Sequence, residues 1–116
     1  MPPPEERLEL LQGTLDMLIL RSLLLGPNHG QGIAHAIQRT SEGELLVEHG
    51  SLYPALQRLC RRGWLKAQWG ASGNNRKAKF YRLTEKGRQQ LHVEESKWRR
   101  LAAAIGRVLE PAGGQS

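Results

Sequence analysis

The 116-residue chain is poor in cysteine and in long apolar runs, and each shortage excludes a class of protein. Cys60 is its one cysteine, so no disulfide forms within the chain, and its place in an apolar helical stripe favours packing over a reactive thiol. The longest apolar stretch, Leu15 to Leu25, is interrupted by polar residues and has about half the length that a membrane helix needs. The first residues lack signal-peptide chemistry, so we expect a cytoplasmic protein.

Patterns typical of catalysis and of metal binding are also absent from the sequence. Four histidines occur, and they have no metal-ligand spacing among themselves or with Cys60: His29, His35, His49 and His92. No glycine-rich loop of the phosphate-binding type is present. We therefore expect neither enzyme activity nor a metal or other cofactor.

The positive charge of the chain is concentrated in its second part. Residues 1–50 contain 3 Lys/Arg and 7 Asp/Glu, a net charge of −4, whereas residues 51–116 contain 14 and 4, a net charge of +10. This segregation favours an anionic partner, although a solvated basic surface would have the same composition.

The hydrophobic periodicity predicts three helices, a two-stranded hairpin and a final long helix. The helices are expected at 8–25, from residue 29 or 30 to 40, and at 51–62, the last of them ending at Gly63. Residues 44–48 fit a short strand or an extended link. The strands are expected at 64–69 and 79–83, and Thr84 is the predicted N-cap of a helix that ends near Glu110.

Three helices followed by a hairpin is the element order of a winged helix-turn-helix, a mainly α (α+β) fold. We interpret residues 8–83 as this domain, residues 84–110 as a dimerisation helix, and residues 1–7 and 111–116 as disordered tails. In this architecture the third helix enters the major groove of DNA, and the hairpin tip reaches the backbone or the minor groove.

The third helix and the hairpin both contain side chains suited to DNA. The helix is expected to bury its leucines and to expose polar and basic residues that can bond base edges or phosphates. The predicted DNA-contacting residues are Ser51, Tyr53, Gln57, Arg58, Arg61, Arg76, Lys77 and Lys79. The alternative is that the arginines form a solubilising surface and the hairpin is ordinary sheet.

The last helix has an apolar seam of the kind that pairs with another helix. Leu91, Trp98 and Ile105 recur every seven residues, and Leu101 and Val108 occupy the second apolar position of the repeat. These five residues are the predicted interface of a homodimer. The same seam could instead pack on the N-terminal helix of its own chain.

Several segments resemble the PadR family of transcription regulators over roughly residues 8–110. They are LDMLILRSL (15–23), HGQGI (29–33), GSLYPALQRL (50–59), GWL (63–65) and YRLTEKG (81–87). The resemblance implies a winged helix with a single C-terminal dimerisation helix, and repression at a pseudo-palindromic operator in double-stranded DNA. By position, Ser51 and Tyr53 would begin the recognition helix, and Arg76, Lys77 and Lys79 would form the wing. Gln31 departs from the family, which often has an aromatic residue there.

The resemblance also suggests an effector. Some family members release DNA when a small aromatic or hydrophobic compound binds, and in some a tryptophan of the last helix stacks on that ligand. Trp98 is the candidate here, although a large aromatic on an interface helix is more often packing. Two alternatives to a DNA-binding regulator stay open. One is a winged helix that binds only proteins, and the other is an α+β ligand-binding or enzymatic domain whose basic face holds an acidic substrate.

Overall fold

A computed structural model describes residues 12–71, 73 and 75–111, which form four helices and three strands. The helices are α1 (Gln12–Ser22), α2 (Gly30–Thr40), α3 (His49–Arg61) and α4 (Glu85–Leu109). The strands are β1 (Asn28–His29), β2 (Leu65–Ala71) and β3 (Lys77–Leu83). The predicted winged helix-turn-helix with a long C-terminal helix is confirmed.

The sheet has one strand more than the sequence predicted. β3 lies between β1 and β2 and is antiparallel to both, with Asn28 opposite Tyr81 and Leu65 opposite Leu83. β1 has only two residues, too few to show the alternation of polar and apolar side chains by which a strand is found in a sequence. β1, which immediately precedes α2, therefore joins the start of that helix to the wing hairpin β2–β3.

Several element boundaries differ from expectation by a few residues. α3 begins two residues early, because the Glu48 carbonyl already accepts hydrogen bonds from the backbone N–H groups of Ser51 and Leu52. Pro54 consequently lies beyond the first turn of α3. α1 ends at Ser22, since residues 23–25 form a turn. The predicted helical start at 8–11 and the predicted tails, except for Pro111, lie outside the described residues.

The hydrophobic core lies between the helices and one face of the sheet. The α3 side chains of Leu52, Leu56 and Leu59 have no exposed surface and pack in one cluster with residues of α1, α2 and β3. Their spacing of three and four residues places them on one side of the helix. Burial of this side therefore determines which side of α3 faces outward.

The beginning of α4 belongs to the same core. Leu91 is only 3% exposed and packs in this cluster, and α4 contacts α1 of its own chain. The prediction that Leu91 forms part of a dimer seam is wrong, because the core of its own subunit already covers this side chain. The exposed apolar positions of α4 begin further along the helix.

Gly87 allows α4 to approach the end of α3 closely. The Thr84 Oγ1 caps α4 by accepting a hydrogen bond from the Gly87 N–H (2.9 Å), and it donates one to the Gly63 carbonyl (2.7 Å). Gly63 has a φ of +78°, which confirms it as the left-handed stop of α3. A Cβ at position 87 would collide with the backbone carbonyl of Trp64 and lie 2.9 Å from Leu83 Cδ1.

Gly87→Ala should therefore destabilise the protein, although alanine is the better helix former by about 1 kcal/mol. We expect a loss of about 1–3 kcal/mol in the free energy of unfolding, because the backbone at Trp64 has to move. The matched control is Gly106→Ala in the same helix, where an added Cβ meets nothing within 4 Å and alanine should stabilise. Urea unfolding measures both, and a Gly87→Ala protein as stable as the unmodified one would contradict this packing.

Candidate nucleic-acid interface

The outward side of α3 is polar, as the sequence predicted. Ser51, Tyr53, Gln57 and Arg61 are all exposed, on the side opposite the buried leucines. Glutamine and arginine are the residues that make bidentate hydrogen bonds to adenine and guanine in a major groove. This face therefore has the chemistry needed to read DNA bases.

Tyr53 connects the start of α3 to the start of α2. Its side chain is 43% exposed, and its ring meets the His49 ring edge-on with 5.7 Å between centroids. A Cβ added at Gly30 would lie 2.9 Å from the Tyr53 ring and hydroxyl, so the ring lies against the first turn of α2. The hydroxyl is thus placed beside the N-terminus of α2.

The wing divides its basic residues between two faces. Arg76, Lys77 and Lys79 are exposed. Lys77 and Lys79 lie opposite Ala71 and Trp69, on the sheet face that also holds the buried Tyr81. Lys66 and Arg82 form an exposed cross-strand pair on the other face. The face that holds Lys77, Lys79 and Tyr81 is the one that packs against α3.

Lys79 of the wing acts electrostatically on Cys60 of α3. Burial raises the pKa of the Cys60 thiol, and the positive charge of Lys79 acts on it in the opposite direction. Burial also raises the pKa of Tyr81, with smaller contributions from Cys60 and Tyr53. Tyr81 packs in one core cluster with the α3 leucines, and Lys79 lies on the same sheet face two residues nearer the wing tip.

Trp69 belongs to this surface but was predicted only as part of a strand. Its side chain is 64% exposed and lies directly opposite Lys79. An exposed indole beside a lysine can pack on the sugar–phosphate backbone. Its place in a basic hairpin is the signal that could have identified it.

Arg58 is the predicted DNA contact that the structure places differently. Its Nη2 lies 2.6 Å from Oδ1 of Asp16 on α1, and its side chain is only 20% exposed. The prediction that Arg58 points outward with the other polar residues of α3 is wrong, because the carboxylate of α1 draws the guanidinium inward. Arg62, which is exposed, stacks instead over the Trp64 ring at 5.1 Å from its centroid.

The second part of α4 exposes five large apolar side chains. They are Leu109 and the predicted seam without Leu91, which consists of Trp98, Leu101, Ile105 and Val108. Trp98 and Leu101 also line a cavity of about 270 Å³ between α4 and α1, to which α1 contributes Thr14 and Met17. One surface thus contains both the unpaired seam and a concave apolar site.

In the part of the chain that the structure describes, no three His, Cys, Asp or Glu side chains are grouped so that they could hold a metal ion. None of the described helices combines the length and the apolar character of a membrane span.

Known proteins share both the fold and the sequence pattern. A transcriptional regulator from Clostridium thermocellum superposes with a TM-score of 0.78 over 85% of this chain and 96% of its own, at 23% identity. A PadR family transcriptional regulator from Eggerthella lenta is 31% identical over 85% of this chain and 84% of its own, with a TM-score of 0.72. An uncharacterized protein from Lysinibacillus sphaericus is 27% identical over 104 residues, 90% of this chain and 95% of its own.

These features define a winged-helix protein with one long C-terminal helix. Residues 19–93 match the transcriptional regulator PadR-like family, and the chain belongs to that family. The resemblance drawn from the sequence is confirmed. The family and its solved members are transcriptional regulators.

The reactivity of Cys60 tests whether Lys79 lies beside α3. Because its pKa is raised, less thiolate is present at pH 8 than for an ordinary cysteine, so alkylation by neutral iodoacetamide should be slow. Lys79→Gln removes a charge that favours the thiolate, so the rate should fall further, by about two- to fivefold. Lys66→Gln, on the opposite face of the wing, should leave the rate unchanged. Equal rates in both variants would contradict the effect of the Lys79 charge on Cys60.

Proposed function

We propose that this protein is a sequence-specific DNA-binding transcriptional regulator, a homodimeric repressor of a pseudo-palindromic operator. The proposal rests on one observation, the exposed polar side of an α3 helix that packs against the lysine-bearing face of the wing. Membership of a family of transcriptional regulators supports it. The cytoplasmic location expected from the sequence is part of this proposal.

In the proposed complex, α3 lies in the major groove and the wing follows the adjacent backbone. Gln57 and Arg61 have the hydrogen-bonding groups to read base edges. Ser51 lies in the first turn of α3, where phosphates are favoured, and the exposed Tyr53 follows it. Arg76, Lys77 and Lys79 would neutralise phosphates beside the groove. Arg58 has no direct DNA contact in this arrangement.

The seam on α4 supports a dimer. Burial of Trp98, Leu101, Ile105 and Val108 against a second copy would remove four exposed apolar side chains from water. Two α3 helices related by a two-fold axis would read two half-sites about one helical turn apart. An inverted repeat in the operator follows from this symmetry.

The cavity beside Trp98 supports a small aromatic or hydrophobic effector. Its volume of about 270 Å³ and its lining by Met17, Trp98 and Leu101 suit a flat apolar compound. Because the cavity lies between α1 and α4, a ligand there would contact both a helix of the subunit core and the proposed dimer helix. We propose that such a ligand releases the operator.

A salt titration tests the DNA-binding proposal. It uses an operator duplex that the unmodified protein has selected from a random pool. With about six phosphate contacts per dimer, log K should fall with log salt at a slope near −5. Lys77→Gln/Lys79→Gln removes four charges per dimer and should make the slope shallower by about 3 to 4. Lys66→Gln/Arg82→Gln removes the same charge from the other face of the wing and should leave the slope unchanged.

The two double variants separate the wing contact from net charge. An equal reduction of the salt slope in both double variants would show that only the net charge matters. A slope near zero for the unmodified protein would favour a winged helix that binds protein, or a domain that binds a small acidic substrate.

Trp98→Ala tests the two roles proposed for α4. Because a buried tryptophan is a typical interface anchor, the dimer dissociation constant should rise by at least about tenfold, as measured by sedimentation. A flat aromatic dye that releases DNA from the unmodified protein should no longer do so. Trp69→Ala removes an exposed tryptophan of the wing. It is the matched control and should sediment with the mass of the unmodified dimer. If mass and dye response of Trp98→Ala both match the unmodified protein, Trp98 is neither anchor nor ligand platform.

A further inference from the structure

We propose that Asp16 and Arg58 form a positioning ion pair that fixes the orientation of α3 on α1, so that Arg58 serves DNA recognition without touching DNA. This inference rests on the proposed function, since it assigns α3 the recognition role. It replaces the direct contact that the sequence predicted for Arg58.

The ion pair joins the middle of α1 to the second half of α3. The Arg58 Nη2 donates to the Asp16 Oδ1 at 2.6 Å, the length of a charge-assisted hydrogen bond. Asp16 is 6% exposed, and it is the buried charged residue of the described core. The two residues are 42 positions apart in the chain, so the bond is a purely tertiary link.

The guanidinium of Arg58 is engaged with α1. Its Nη2 is bound to Asp16, its Nε is buried with no hydrogen-bond partner among the described residues, and its side chain is only 20% exposed. Arg61, nearly one turn further along α3, is exposed. These two arginines of α3 therefore have different surroundings, and Arg61 is the more accessible to a DNA base or phosphate.

The energetics of the pair favour orientation over stability. An ion pair with one buried partner, here Asp16, loses solvation that its attraction only partly restores, and apolar residues of similar volume often stabilise a protein as well or better. Leaving the Arg58 Nε without a partner adds to this cost. Apolar contacts between helices have no direction, whereas a short ion pair fixes two named atoms. The pair thus supplies the direction that the leucine contacts around it lack.

The position of α1 gives this orientation a consequence for the dimer. α1 contacts both α3 and α4, and Met17, the neighbour of Asp16, lines the cavity that contains Trp98. An α3 fixed on α1 is therefore also fixed relative to the helix that would join the two subunits. The spacing of two recognition helices on an operator depends on that relation.

The test compares two duplexes, one selected from a random pool by the unmodified protein and one of unrelated sequence. Asp16→Asn, Arg58→Gln and their double variant should each bind the selected duplex about tenfold more weakly, the cost of about one mismatched base pair. The loss in the double variant should not exceed the larger single loss, because one pair is broken in all three. Affinity for the unrelated duplex should stay unchanged, since exposed cations govern it.

Arg61→Gln is the matched control, the same substitution on the same helix three residues away. Because it removes an exposed positive charge from the DNA-binding surface, it should weaken binding to both duplexes and make the salt slope shallower, which Asp16→Asn should not do. Asp16→Leu/Arg58→Met is a second variant that keeps the fold if the single variants unfold, because it replaces the pair with apolar residues of similar size. Circular dichroism checks its folding, and it should still lose about tenfold for the selected duplex alone.

Two outcomes would overturn the inference. If Arg58→Gln weakens both duplexes while Asp16→Asn binds like the unmodified protein, Arg58 contacts DNA directly. If every folded variant keeps full affinity for the selected duplex, the pair only stabilises the fold. Failure of the unmodified protein to select any duplex would instead overturn the proposed function, and that result appears before any substitution is made.

Discussion

Burial of one side of α3 is the constraint on which the rest of the molecule depends. Leu52, Leu56 and Leu59 are fully removed from water, so rotation of α3 would expose them at a cost of about 1.5–3 kcal/mol for each side chain. With this side fixed, the opposite side presents polar and basic residues to solvent. The hairpin packs on the same helix through Tyr81, and its lysines lie on the same sheet face, nearer the wing tip.

The same packing divides the charged residues of α3 into two kinds. Arg61 remains outside, where it can meet an anion, while Arg58 is drawn in by the carboxylate of Asp16. A leucine core supplies most of the free energy of such a fold but little direction, and a single short ion pair supplies direction at a cost in free energy. Recognition of DNA needs both, because a base edge is met only when the helix has a defined angle as well as a stable position.

The sequence predicted what local patterns determine and failed where tertiary packing decides. Thr84 and Gly63 were identified correctly because caps and left-handed stops depend on a few neighbouring residues. Leu91 and Ile105 occupy the same position of the heptad repeat, and only packing within the subunit makes the first a core residue and the second an exposed one. Arg58 and Arg61 are equally indistinguishable in the sequence, since the partner of Arg58 lies 42 residues away. The assignment of the remaining site residues to DNA stays a prediction.

The most direct test of the account is photo-crosslinking to the selected operator from single positions that carry a benzophenone side chain. We expect crosslinks from Gln57 on the outward side of α3 and from Lys77 on the wing, and none from Ser96 on α4. Both reactive positions should crosslink within each of two half-sites about one helical turn apart. Crosslinks from Ser96 alone, or from α3 without the wing, would contradict the claim that these two elements form one DNA-binding surface.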